Sequence, residues 1–126
     1  MKQNKYIPGD WVKYIGNNSP RYVQIWQVRE NFLFLESGYG IVNFSEVEPI
    51  PLTPEILEKN GWKWSEEHEE FASSSSKIAI YPESDYYVIS GLYVKIRYVH
   101  QLQHFLFGLG LDSNFNLKDI KKGGEK

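Results

Sequence analysis

Apolar side chains in the first 50 residues fall in short runs broken by glycine, proline and asparagine, the pattern of short strands joined by tight turns. Pro8-Gly9-Asp10 reads as a turn, Trp11–Ile15 as a strand, and Gly16–Pro20 as the turn that sends the chain back. Along the next strand, Tyr22–Val28, alternation places Val23, Ile25 and Gln27 on one face and Tyr22, Gln24, Trp26 and Val28 on the other, so neither face is wholly polar. Phe32–Glu36 and Ile41–Phe44 add two more strands around the turn Ser37–Gly40. Four or five such strands predict a small, strongly bent antiparallel sheet or small barrel.

The period changes after Pro49. Pro49-Ile50-Pro51-Leu52 is extended, because a residue before proline is pushed out of the helical region. Thr53 then has the character of a helix N-cap, with Pro54 at the first helical position, Glu55 near the positive end of the dipole, and Asn60-Gly61 as the stop. Ile56 and Leu57 point inward while Glu58 and Lys59 stay wet, which makes this short helix a structural bracket rather than part of a site. Strands return at Trp62–Ser65, Glu70–Ala72, Lys77–Tyr81, Tyr86–Ser90 and Leu92–Tyr98, with Pro82-Glu83-Ser84-Asp85 as a turn and Gly91 as a break. In the last strand Leu92, Val94, Ile96 and Tyr98 form the expected buried face and Tyr93, Lys95 and Arg97 the partly exposed cationic one. Helical spacing of Val99, Leu102, Leu106 and Leu109 then predicts an amphipathic helix packed across that sheet.

The expected fold is therefore α+β: an N-terminal bent antiparallel sheet, a connecting helix, a second antiparallel sheet and a closing C-terminal helix. A chain of 126 residues supports one core, so residues 1–116 are expected to form a single compact domain with a barrel-like part over 1–52 and the rest over 53–116. The basic tail 117–126 carries Lys118, Lys121, Lys122 and Lys126 and is expected to be flexible at its end.

Two resemblances accompany this reading. The Gly-Asp turn followed by an aromatic strand and three further short strands resembles the SH3-like barrels, which implies a face that recruits a ligand. The segments Pro49–Trp62 (PIPLTPEILEKNGW) and Ile96–Leu111 (IRYVHQLQHFLFGLGL) resemble a group of small uncharacterised proteins of phages and prophages of gut anaerobes. That resemblance implies a mobile-element origin and an accessory, anti-defence role; it implies no reaction.

Composition narrows the function classes. A formal charge of −2 and a pI near 5.9 argue against a general DNA-coating protein, because sequence-independent binding depends on many Lys and Arg releasing counterions. The chain has no cysteine, which removes disulfides, thiolate nucleophiles and Cys-ligated zinc and fits a reducing compartment. With Gly, Pro and Asp where an apolar signal core would stand, and no run long enough to span a bilayer, the expected location is cytoplasmic, without membrane contact. Glu66, Glu67, Glu69 and Glu70 around His68, followed by Ser73–Ser76, read as an exposed, mobile linker.

Catalytic motifs are missing. His100 and His104 stand four apart on the closing helix, as in helical zinc sites, but Gln101 occupies the position where a HExxH helix carries its general base. Surface or hydrogen-bonding histidines are the favoured reading, and neither a metal nor a cofactor is expected. Gln101 and Gln103 flank Leu102 and are expected to tie the helix to strand groups, with partner contacts the alternative. No Gly-x-Ser-x-Gly elbow occurs, and Gly38-Tyr39-Gly40 lacks the rest of a phosphate loop.

Aromatic residues are the stronger lead. Four Trp, nine Tyr and seven Phe exceed what so small a core easily buries. Trp11, Tyr14, Tyr39, Tyr86, Tyr87 and Tyr93, together with Lys95 and Arg97, are the expected binding residues, with Tyr6, Lys13, Arg21 and Arg29 as further members of such surfaces. The leading expectation is a non-enzymatic protein-interaction module that occupies a host or phage protein. The alternative is a nucleic-acid or nucleotide-binding module using an aromatic and basic face, and a metal-dependent enzyme using His100 and His104 ranks below both. Homodimerisation through an aromatic strand edge is compatible with the first.

Overall fold

The alternating segments pair into two five-stranded antiparallel sheets in the computed structural model, which describes residues 6–16, 20–36, 38–73 and 77–118. The chain divides into two compact units, residues 1–50 with 117–126, and residues 51–116. Parts of the turns read at Gly16–Pro20 and Ser37–Gly40, most of Ser73–Ser76 and nearly all of the basic tail lie outside the described residues.

In the first unit the strands are β1 (Trp11–Tyr14), β2 (Arg21–Val28), β3 (Phe32–Leu35), β4 (Gly40–Asn43) and β5 (Val47–Glu48), the last preceded by a single 3-10 turn at Phe44–Glu46. They line up as β4-β3-β2-β1-β5 in a sheet curled into a half-barrel. The Pro8-Gly9 turn is pinned to β2: Gly9 N donates to Ile25 O (2.8 Å), Ile25 N to Asp10 O (2.9 Å), and Gln24 Nε2 to Gly9 O (3.0 Å). Asp10 is buried, and its Oδ2 accepts from Ile7 N at 2.9 Å, so the carboxylate closes the turn. Inside the curl Tyr6, Val12, Val23, Ile25, Leu33, Leu35, Val42 and Val47 form one apolar cluster.

The expected alternation of β2 fails at one point. Pairing with β3 runs Ile25↔Leu35, then Gln27↔Phe34 and Val28↔Leu33, with a bulge between Ile25 and Gln27. One extra residue reverses the parity of the rest of the strand. Val28 therefore joins Val23 and Ile25 against the core, while Gln27, expected beside them, shares the outer face with Phe34.

The second unit begins with α1 (Pro54–Lys59), whose N-cap is Thr53: its Oγ1 accepts from Ile56 N at 3.2 Å and Pro54 opens the first turn. Ile56 and Leu57 are buried as expected. Asn60 ends the helix and ties it down, donating to Ile56 O (2.9 Å) and Asn116 O (3.2 Å) and accepting from Asn116 N (2.7 Å). A meander follows, β6 (Trp62–Ser65), β7 (Glu70–Ser73), β8 (Ala79–Pro82), β9 (Tyr87–Ile89) and β10 (Val94–Ile96), in the order β10-β9-β8-β7-β6. The acidic stretch Glu66–Glu69 is exposed, as expected, and forms the hairpin turn between β6 and β7. Trp62–Ser65 pairs residue by residue with Glu70–Ser73, Glu69 N bonds to Ser65 O at 2.7 Å, and the Trp64 and Phe71 rings meet at 4.9 Å. Cross-strand pairing thus sets where this turn falls.

The last strand is shorter than Leu92–Tyr98. Leu92 N and Tyr93 N both donate to Ile89 O, so these residues belong to the turn after the three-residue β9; Leu92 is 57% exposed and Val94 exposed, leaving Ile96 as the fully buried member of the expected face. Arg97 and Tyr98 continue the strand direction by pairing with Pro51 and Leu52, Leu52 N donating to Arg97 O at 2.9 Å.

The closing helix, α2, spans Val99–Gly108. Val99, Leu102 and Leu106 are buried, but Leu109 lies past the helix end and is 53% exposed; His100 and Gln103 widen the buried face instead. Gln101 Oε1 accepts from Arg97 N (2.7 Å) and Tyr98 N (3.1 Å), and Gln103 Nε2 donates to Ser113 O (3.3 Å), so both amides tie α2 to neighbouring backbone. Gln101→Ala is expected to lower the stability of the second unit by about 1–2 kcal/mol, the scale of a lost helix cap, read from urea unfolding. Gln101→Glu, which keeps the acceptor, should restore most of it.

Candidate functional site

The eight residues singled out from the sequence separate into three situations. Trp11 and Tyr87 are buried, Tyr87 showing only an edge to the cleft described below; burial also pushes the Tyr87 hydroxyl pKa up. Tyr6 is likewise part of the first core. Tyr14 and Tyr39 stack in a tilted pair, centroids 4.9 Å apart, half-buried against that core. A Cβ at Gly16 would stand 2.6 Å from the Tyr14 hydroxyl oxygen, so glycine lets the ring lie over the turn.

The remaining four belong to the second unit. Tyr86 is half-buried, with Lys95 Nζ 5.0 Å and Arg97 Cζ 5.7 Å from its ring centre. Alternation along β10 explains this: Lys95 and Arg97 flank the inward Ile96 and share the outward face. Arg97 also meets Asp85 at 3.6 Å, both side chains more than half exposed, which makes the ion pair weak. Tyr93 stands apart at the β9–β10 turn, 79% exposed and with φ +59°. A tyrosine in that left-handed region carries strain that glycine or asparagine would not.

Beside Tyr86 and Arg97 lies a cleft of about 290 Å³. Pro51, Leu52, Pro82 and Tyr87 give it apolar walls, and Glu83 and Asp85 bring carboxylates to its lining.

Sequence reasoning missed a second surface on the first unit. Trp26, next to the inward Ile25 and at the β2 bulge, is 57% exposed and meets the Phe34 ring edge-on at 6.0 Å. Phe32 joins Phe34 at 5.7 Å, and Arg29 Cζ lies 5.6 Å from the Phe34 ring. Ile41, opposite Phe34 on the edge strand β4, is 62% exposed. The residues in register on this face, Gln27, Phe32, Phe34, Ile41 and Asn43, include no carboxylate. The signal was present in Phe32-Leu33-Phe34-Leu35, where both parities are apolar: the leucines take the core, so the phenylalanines need another explanation.

His100 and His104 do share one side of α2, their rings 5.4 Å apart, and His100 is buried and stacked on Tyr98. Burial and the neighbouring His104 charge hold its pKa down to about 4. His68 lies on the β6–β7 turn, and among the described residues no three His, Cys, Asp or Glu side chains are grouped to hold a metal. Nor, among the described residues, is any helix long and apolar enough to cross a membrane. No protein-family model, curated protein or solved structure matches the chain.

Proposed function

We propose that this chain is a non-enzymatic protein-interaction module whose main contact surface is the outer face of β2–β4. The observation that carries this reading is a contiguous set in which exposed Trp26 and Ile41 flank half-buried Phe32 and Phe34, with Arg29 at its margin. Trp and Arg are the residues most often responsible for binding energy at protein interfaces, and a folded domain gains nothing from leaving such a patch in water. With Arg29 at one margin and exposed Glu36 following on the parity of Phe34, the face fits a partner whose apolar patch has a rim of mixed charge. The curled sheet is consistent with an SH3-like module. The resemblance to phage and prophage proteins makes a host protein, and a defence protein in particular, the proposed partner, inhibited by occupancy.

The test is capture from nuclease-treated bacterial lysate with wild-type protein and with Trp26→Ser. The expected result is a stoichiometric protein that survives nuclease and is reduced at least about tenfold by the substitution, the loss typical of a hot-spot residue. Equal capture by both proteins would reject this face as the contact.

A second reading, nucleotide or nucleic-acid binding, is favoured by a different observation, the two cations held over Tyr86 beside the cleft.

A further inference from the structure

We infer that the cleft between Pro51-Leu52 and the Pro82–Tyr87 turn is a site for a single nucleoside monophosphate, with the base against its apolar walls and the phosphate on Arg97. The inference rests on the second reading above and gives it a ligand and a place.

Arg97 is pre-organised at its backbone and under-used at its side chain. Its N–H is held by Gln101 and its carbonyl by Leu52, so the residue cannot drift along the strand. Its guanidinium, with five donors, has the Tyr86 ring and one 3.6 Å contact to Asp85. A phosphate offers the bidentate geometry that this contact lacks, and charge-assisted pairs of that kind are about twice as strong as neutral hydrogen bonds. Lys95 stands outside the lining of the cleft, 5.0 Å from the same ring centre, and adds positive charge to its surroundings. The apolar walls, Pro51, Leu52, Pro82 and Tyr86, suit a planar ring.

Size selects one nucleotide over a strand. About 290 Å³ is at the lower end for a small-molecule site. Glu83 and Asp85 also line the cleft and repel any phosphate in it, so a bound phosphate is confined to the Arg97 side. Asp85 acts here as an internal competitor: ligand phosphate and Asp85 carboxylate seek the same guanidinium, so removing the carboxylate should improve binding.

The experiment is an NMR titration of the full ¹⁵N-labelled chain with AMP, UMP, ribose 5-phosphate, inorganic phosphate and a short oligothymidylate at low salt. AMP is expected to shift the amides of residues 82–87 and 95–97, to bind more tightly than ribose 5-phosphate, to lose about tenfold in affinity in Arg97→Gln, and to gain several-fold in Asp85→Asn. Both variants change exposed side chains, and their spectra report directly whether the fold is kept. Ribose 5-phosphate binding as well as AMP, or AMP affinity indifferent to Arg97→Gln, overturns the inference. Oligothymidylate binding that ignores Arg97→Gln would leave the nucleic-acid reading standing and remove this site from it. Tighter binding of the oligomer than of AMP through Arg97 would replace a free nucleotide by a strand as ligand. Absence of any binding rejects both the site and the reading.

Discussion

Between pH 6.5 and 4 the second unit is expected to lose about 3 kcal/mol of stability through one side chain, His100. Its imidazole is buried on the inner face of α2, and burial, reinforced by the charge of His104, lowers its pKa to about 4 from 6.5. Folding thus favours the neutral ring. In the unfolded chain the ring takes up a proton as pH falls through 6.5, while in the folded chain it resists until about 4. Within that window the unfolded state binds more protons, so stability rises with pH; the contribution is complete above 6.5 and gone below about 4. Urea unfolding at several pH values, compared with His100→Phe, isolates this group because the carboxylates that titrate in the same range are common to both proteins. The wild-type minus variant difference should shrink steeply as pH drops. A difference independent of pH would mean that the ring is solvated or already charged.

The second large effect contrasts neighbouring strands of the first sheet. Leu33 is wholly buried in the half-barrel core, and Leu33→Ala is expected to cost about 2–5 kcal/mol, the transfer loss plus an unfilled cavity. Ile41, whose side chain faces out beside Phe34, should cost less than about 1 kcal/mol when changed to alanine, because little apolar area leaves water there on folding. Partner capture should follow the opposite order: weakened by Ile41→Ala at unchanged stability, and kept by whatever fraction of Leu33→Ala remains folded. Chemical denaturation gives the first ranking and capture at matched folded concentration the second. Equal destabilisation by the two substitutions would mean that the outer face is covered within the molecule, which removes the basis for the proposed interface.

Much of the chain could be read residue by residue. The Pro8-Gly9 turn, the Thr53 cap with Pro54 behind it, the Asn60 stop and the full span of Trp62–Ser65 rest on interactions a few residues long, and such interactions are written in sequence. The role of Gln101 was legible for the same reason, since an amide three residues after an N-cap reaches back to the backbone it caps. The pairing of Lys95 and Arg97 on one outward face came from alternation alone.

Other features needed the folded chain. Parity along β2 is a local property until a bulge interrupts it, and this bulge lies in the pairing of β2 with β3, which alternation along one strand does not report. That interruption sends Val28 in and Gln27 out, beside a Trp26 that alternation had already turned away from Ile25, and so completes the surface that sequence reasoning missed. The shortness of β10 reflects a partner strand of only three residues, and the depressed pKa of His100 reflects what packs over α2. The amino-acid sequence by itself determined the elements, their caps and the two-sheet α+β class, because each depends on neighbours along the chain. Only the tertiary structure decided which aromatics are surface and which are core, because a side chain's exposure depends on residues far away in sequence.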